Sequence, residues 1–399
     1  MKRAIILASA IFATVALNAQ AAKDKPAEPD YQFTTIKENP ITSIKNQYRS
    51  GTCWCFSALS YIESEALRNS GKELDLSEMW VVGHAYSDRA VKYVRMDGHM
   101  GFSAGSGLGD VFATIKKYGI VPQDVYSGMQ YGTELPEQAE LDAVLKGYAD
   151  AVVRKPNKVL STAWKKGFDA ILQAYLGEWQ TNFTVDGKSY TPETYRDEVV
   201  GIDFNDYVNI CSFQENPWWE QCPIEVCDNW RNFSGYNVPM EDMIRIMYNA
   251  LDHGYTVCWG GDVSEKGFTR NGIGVLPKPK KEEKPKAGSD QEHWVGKDNS
   301  KEETPEVVEI PEEVEVSDSL RQSAYDRKIT TDDHGMHIYG YAKDQNGTKY
   351  FMVKNSWGET GKYKGIWYMS ETFMAYKTLN FVVHKDALPK DIRKKLNIK

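Results

Sequence analysis

The apolar residues of this chain change their period once, near residue 200, and that switch limits the fold more than any other feature. Up to residue 176 they recur at helical spacing. Phe56, Leu59, Ile62, Ala66 and Leu67 fall on one face, and Asn69-Ser70-Gly71 supplies a stop signal. Residues 111–118, closed by Gly119, predict a second helix, and residues 137–152 and 162–176 predict two further amphipathic ones. After Gly201 the apolar runs shorten to strand length, at 256–259, 335–342, 350–353 and 381–383, broken by glycine and Asn-Gly turns. Helices first and strands later predict an α+β chain whose second half is mostly sheet.

Two segments stand outside that pattern. Met1-Lys2-Arg3, an apolar run at 4–17 and Ala19-Gln20-Ala21 predict a signal peptide over residues 1–21, and hence an exported, periplasmic or secreted protein. The run is about 14 residues, shorter than the roughly 20 that span a bilayer, so no membrane association is expected after cleavage. Residues 277–318 hold five of the 16 prolines, seven lysines and thirteen acidic residues, a mix that buries little and reads as an insertion or linker. That stretch carries −6 of the net charge of −8, and the leader adds +2, so the rest carries −4. With no basic excess over the rest as a whole, nucleic acid is not an expected partner. The expected layout is a lead-in and helical lobe over 22–132, a helical insertion over 133–200, a β-rich lobe over 201–276 and 319–385, and a tail over 386–399.

The chemistry concentrates at three places. In Asn46-Gln47-Tyr48-Arg49-Ser50-Gly51-Thr52-Cys53-Trp54-Cys55-Phe56-Ser57 a loop delivers Cys53 to the first turn of a helix. There the free N–H groups favour a thiolate and are expected to lower the thiol pKa. The same N–H groups and the Gln47 amide suit an oxyanion. Such a nucleophile needs an imidazole, and His334 opens a strand followed by Lys354-Asn355-Ser356-Trp357-Gly358. Asn355 is placed to orient the ring and Trp357 to shield that bond.

Gln47, Cys53 and Phe56, then His334, then Asn355-Ser356-Trp357-Gly358, in this order, resemble the papain-like cysteine peptidases. Asp333-His334-Gly335-Met336, Gly260-Gly261-Asp262-Val263-Ser264 and the opening around Cys53 are similar to the bleomycin hydrolase and aminopeptidase C branch. The resemblance implies a papain-like two-lobed α+β fold with Cys53 as nucleophile, His334 as acid/base, Asn355 orienting it and Gln47 as oxyanion donor. It also implies that Gly105-Ser106-Gly107 pairs with substrate backbone beside Trp357, that peptides are the substrates, and that the chain forms a homo-oligomer, a hexamer. No cofactor or metal is implied. Ser50 stands where papain has a structural cysteine, so that disulfide is not expected, and about thirty residues between leader and Cys53 leave no room for a long propeptide. In this branch the C-terminal arm enters the cleft and restricts cleavage to N-terminal residues. Here the last sixteen residues would span roughly 50 Å if extended, enough to reach, although 389–396 invites a helix. An aminopeptidase is expected, with an endopeptidase or a silent peptide-binding relative as alternatives.

Other candidates carry blander expectations. Cys55 points to another helix face and reads as packing, and His337 faces away from His334. Cys222 and Cys227 with His253 lack usual zinc spacing, and at most one or two disulfides are expected among Cys211, Cys222, Cys227 and Cys258. Asp332 and Asp333 read as turn and surface residues, the alternative being that one receives a substrate α-amino group. Asn182, Asn232 and Asn346 sit in glycosylation sequons.

Overall fold

The computed structural model describes residues 29–154, 158–279 and 309–399, so the expected leader and most of the acidic stretch lie outside the described residues. All the motifs fall in one body, residues 33–276 and 313–399.

The body opens with strand β1 (Thr34–Glu38), inside what reads in sequence as a mere lead-in. Helix α1 (Cys53–Ser70) is buried from Trp54 to Ala66, and it ends where Gly71 turns left-handed at φ +70° and returns its N–H to Leu67 O. Each large apolar side chain it withdraws from water contributes about 1.5–3 kcal/mol. Helix α2 (Glu78–Arg95) follows, starting at Ser77, whose hydroxyl accepts from Trp80 N–H. It escapes sequence reading because it is buried on almost every side, so its polar and apolar faces do not separate. Helix α3 (Leu108–Tyr118) begins one turn before the expected start.

Helices α4 (Ala139–Val153) and α5 (Ala163–Leu176) match the expected amphipathic pair. Their apolar faces, Leu141, Leu145, Phe168 and Leu172, share one core with α1 and α2, so this segment is part of the helical lobe rather than an appendage. It is also not wholly helical, since β2 (Phe183–Val185) and β3 (Lys188–Tyr190) form a hairpin before the short α6 (Pro192–Tyr195).

The remaining strands are β4 (Tyr207–Cys211), β5 (Gln221–Pro223), β6 (Ser234–Asn237), β7 (Val257–Gly261), β8 (Ile273–Gly274), β9 (His334–Lys343), β10 (Lys349–Lys354), β11 (Ile366–Ser370) and β12 (Thr378–His384). They form one mixed sheet in the order β5-β6-β4-β12-β7-β9-β10-β11-β8. β9 takes β7 along its first half and β1 along its second, with β10 on the other edge. The second half is less purely sheet than its sequence reads. Four helices interleave, α7 (Met240–Asp252), α8 (Asp318–Asp326), α9 (Glu371–Lys377) and α10 (Lys390–Lys395). α7 and α10 pack on the sheet in a second core, through Met243, Met247, Ile392 and Leu396. The architecture is two-lobed α+β, with helices in one lobe and sheet in the other.

Candidate active site

A cleft of about 310 Å³ runs between the lobes, lined by Gln47, Cys53, Gly105, Ser106, Gly107, His334 and Trp357 among others. Cys53 is the first residue of α1 and half-buried. What brings it to β9 is Gly335. A Cβ there would stand 2.6 Å from Ser57 Oγ and 3.3 Å from Trp54 Cα, so only glycine lets the helix start lie against the strand.

His334 opens β9 and donates from Nε2 to Asn355 Oδ1 at 2.8 Å. The same Oδ1 accepts Ser356 N–H at 2.8 Å. A backbone N–H can only donate, so the oxygen of the amide, not its nitrogen, faces both groups, and the neutral ring must carry its proton on Nε2. Nδ1 is left as the basic nitrogen. Trp357 covers this pair, its ring 4.8 Å from the imidazole and tilted by 31°, and Trp367 braces it edge-on at 5.4 Å.

Gln47 is buried and built into the same segment. Its Oε1 accepts from Ser356 Oγ at 2.6 Å, its Nε2 donates to Ser50 O at 2.9 Å, and its backbone N–H donates to Ser356 O at 2.8 Å. One Nε2 hydrogen remains for the cleft. The segment that carries Gln47 is fixed on α1 by Glu63, fully buried, which accepts from Thr42 Oγ1 at 2.7 Å, Lys45 Nζ at 3.0 Å and Leu76 N–H at 2.9 Å. Ser50 Oγ donates to Gln47 O at 2.8 Å.

The thiol departs from the sequence expectation. Burial, the largest influence, pushes Cys53 up to about 12, and the charges of Asp332 and Asp228 push the same way. The N–H groups of Gly335 and Trp54 favour the thiolate but do not outweigh desolvation. Burial likewise lowers His334 to about 4, against the Asn355 bond that raises it. Both shifts favour the neutral forms, thiol and imidazole, over the ion pair.

Gly105-Ser106-Gly107 is only partly available. Gly105 O accepts from Arg89 Nη1, and Gly107 N–H donates to Asp110 Oδ2 at 2.9 Å. Ser106 Oγ turns inward, donating to Asp110 Oδ2 at 2.6 Å and accepting Trp230 Nε1–H at 2.7 Å. The Ser106 N–H and C=O are left for a ligand. Asp262, fully buried at the end of β7, accepts Thr331 N–H at 2.7 Å and Ser264 Oγ–H at 2.6 Å. The Gly260-to-Ser264 motif therefore positions the loop that ends in His334.

Of the other candidates, Cys55 is buried with its thiol on Glu78 O, and His337 is buried against Ser60 Oγ at 2.9 Å. All six cysteines are free, Cys227 being exposed and Cys211 and Cys222 lying 3.5 Å apart. His253 is exposed at the end of α7, away from the buried Cys222. Asn182, Asn232 and Asn346 are exposed. Asp333 accepts Val263 N–H at 2.9 Å, but Asp332 is no surface turn residue: it lines the cleft without a partner. Asp228, which sequence reading missed, lines it too. Its loop shows no motif, so only the fold reveals it. The tail does not enter the cleft among the described residues. Ile392 and Leu396 are buried in the sheet-side core, and Arg245 holds Asp391 at 2.6 Å.

A family model described as papain family cysteine protease matches residues 26–158, and one described as peptidase C1-like family matches residues 307–399. Aminopeptidase G of Lactobacillus delbrueckii subsp. lactis is 22% identical over 406 aligned residues, covering 89% of this chain and 83% of that protein. Aminopeptidase C of Lactococcus lactis subsp. cremoris is also 22% identical, covering 91% of this chain and 84% of that one. Among solved structures, PepW from Lactobacillus rhamnosis shares the fold, with a TM-score of 0.67 at 19% identity over 91% of this chain and 84% of that one.

Proposed function

The chain is a papain-like cysteine-type peptidase of the aminopeptidase C and bleomycin hydrolase branch, and from that premise we propose that it is an exported aminopeptidase working through Cys53, His334 and Asn355. As the sulfur of Cys53 attacks a peptide carbonyl carbon, its proton passes to His334 Nδ1. The carbonyl oxygen becomes an oxyanion facing the free Gln47 Nε2 hydrogen and the first N–H groups of α1. Collapse breaks the C–N bond, the amine leaves with the proton from Nδ1, and an acyl-enzyme remains on Cys53. Water, deprotonated by the same nitrogen, then releases the acid and restores the thiol. Trp357 keeps water off the His334–Asn355 bond throughout, and Ser106 aligns the substrate backbone.

The observation that carries this reading is the shared Asn355 Oδ1, which fixes the His334 tautomer with Nδ1 free. Export rests on residues 1–21 and is checked by N-terminal sequencing of the protein recovered outside the cytoplasm. The branch resemblance supports a hexamer, which light scattering reads. The activity test compares unblocked aminoacyl reporters with their N-acylated counterparts, using Cys53→Ala as control. Preference for the unblocked series is expected, and activity surviving in Cys53→Ala would sink the mechanism. A second reading, an endopeptidase, is favoured by one fact: no described tail residue lines the cleft. Strong cleavage of blocked peptides would establish it.

A further inference from the structure

An aminopeptidase must tell an N-terminal ammonium from an internal amide, and the economical device is an anion set at a fixed distance from the nucleophile. No described tail residue lines the cleft, and Ile392 and Leu396 are docked in the sheet-side core. The cleft does contain anions. Asp332 sits two residues before His334, makes no hydrogen bond or ion pair among the described residues, and has its carboxyl desolvated against the cleft. Asp228 comes from the other side, on the loop between β5 and β6. Its carboxyl lies directly over Gly105, where a Cβ would fall 1.9 Å from Oδ2, next to the open backbone of Ser106. Only Oδ1 of Asp228 has neighbours, Ser103 Oγ at 3.4 Å and Arg89 Nη2 at 3.9 Å, so Oδ2 is unengaged.

Two carboxylates from separate elements thus line one space beside the nucleophile, and Arg89, 3.9 Å from Asp228 Oδ1, directs its hydrogens to the Gly101, Ser103 and Gly105 carbonyls instead. Their mutual repulsion is visible in Asp332, which burial and the Asp228 charge push up to about 7. Such an arrangement is costly unless something positive joins it. The geometry points to an α-ammonium site: Asp332 and Asp228 receive the N-terminal amine of a peptide substrate and thereby hold its first carbonyl at Cys53. A basic side chain or a divalent cation is a weaker fit, because the Ser106 N–H and C=O beside Asp228 match a peptide backbone. The inference rests on the aminopeptidase reading and deepens it. It has a catalytic corollary. The bound ammonium offsets the two charges that add to burial in raising the Cys53 thiol, so the correct substrate favours its own nucleophile.

The test measures kcat and KM for an unblocked aminoacyl-aminocoumarin and its N-acetyl counterpart with wild type, Asp332→Asn, Asp228→Asn and Asp332→Glu. Each asparagine variant is expected to lower the unblocked-to-blocked ratio of kcat/KM by about tenfold or more, chiefly through KM, and Asp332→Glu to recover part of it. Circular dichroism and a cooperative thermal melt matching wild type report that each variant is folded. If wild type itself shows no preference for the unblocked series, the aminopeptidase reading fails. If wild type discriminates but both asparagine variants discriminate equally well, the α-ammonium assignment alone is overturned. Loss confined to blocked peptides with lysine or arginine near the scissile bond also overturns it, in favour of a basic side-chain subsite.

Discussion

Gly335 and Ser57 touch as closely as strand and helix can: a Cβ at Gly335 would stand 2.6 Å from Ser57 Oγ. This contact joins the lobe that carries Cys53 to the strand that begins with His334, so the geometry of the candidate site depends on a residue with no side chain.

Gly335→Ala is therefore expected to push α1 away from β9. Overpacking of this kind costs about 1–3 kcal/mol, and a shift near 1 Å between reacting groups costs on the order of 10²-fold in rate. Calorimetry and kcat measured together check it. A variant with full activity and unchanged Tm would show that the lobes do not need this approach.

Asn355→Ala removes the acceptor that fixes the His334 tautomer and is expected to lower kcat by about 10²-fold with little change in KM. Asn355→Asp offers His334 Nε2–H a carboxylate oxygen in the same place. An adjacent negative charge favours the imidazolium, so the ring, held at about 4 by burial, rises, and the acid limb of the kcat/KM profile moves to higher pH. A profile that does not move would mean that Asn355 does not govern this ring.

The charge of Asp332 gives a pH-dependent signature without substrate. Asp332 ionises near 7, and once ionised it disfavours the Cys53 thiolate. Asp332→Asn is thus expected to alkylate with iodoacetamide faster than wild type at about pH 8.5, where the wild-type residue is charged, and equally at about pH 5.5, where it is neutral. Equal rates at both pH values would reject the coupling.

Cys211 on β4 and Cys222 on β5 meet across Gly235 of the intervening strand, where a Cβ would lie 2.8 Å from Cys211 Sγ. Mild oxidation with diamide is expected to join them, removing two of the six thiols titrated after unfolding, and Cys222→Ser is expected to abolish that loss. Peptide mass mapping identifies the pair. A different pairing, or none, contradicts the expectation.

Much of the site was legible along the chain, because each key residue belongs to a local device. Cys53 follows a glycine-containing loop at a helix start, His334 opens a strand, and Asn355 follows one, and local spacing is what a sequence displays. Helix α2 was not legible, since a segment buried on nearly all sides has no polar face to mark it. Asp228 was not legible because its place near Asp332 depends on the strand order β6-β4-β12-β7-β9, in which no two neighbours are consecutive in the chain.

By itself, then, the sequence determined the segregation of helices from strands and the candidates for nucleophile, base and orienting amide, since both follow from short-range pattern and side-chain type. Only the tertiary structure decided that the resting thiol is held neutral, that residues 390–396 dock on the sheet rather than in the cleft, and that Asp332 faces Asp228. Desolvation, docking and charge proximity are properties of distance in space, and residues 104 positions apart acquire a distance only when the chain folds.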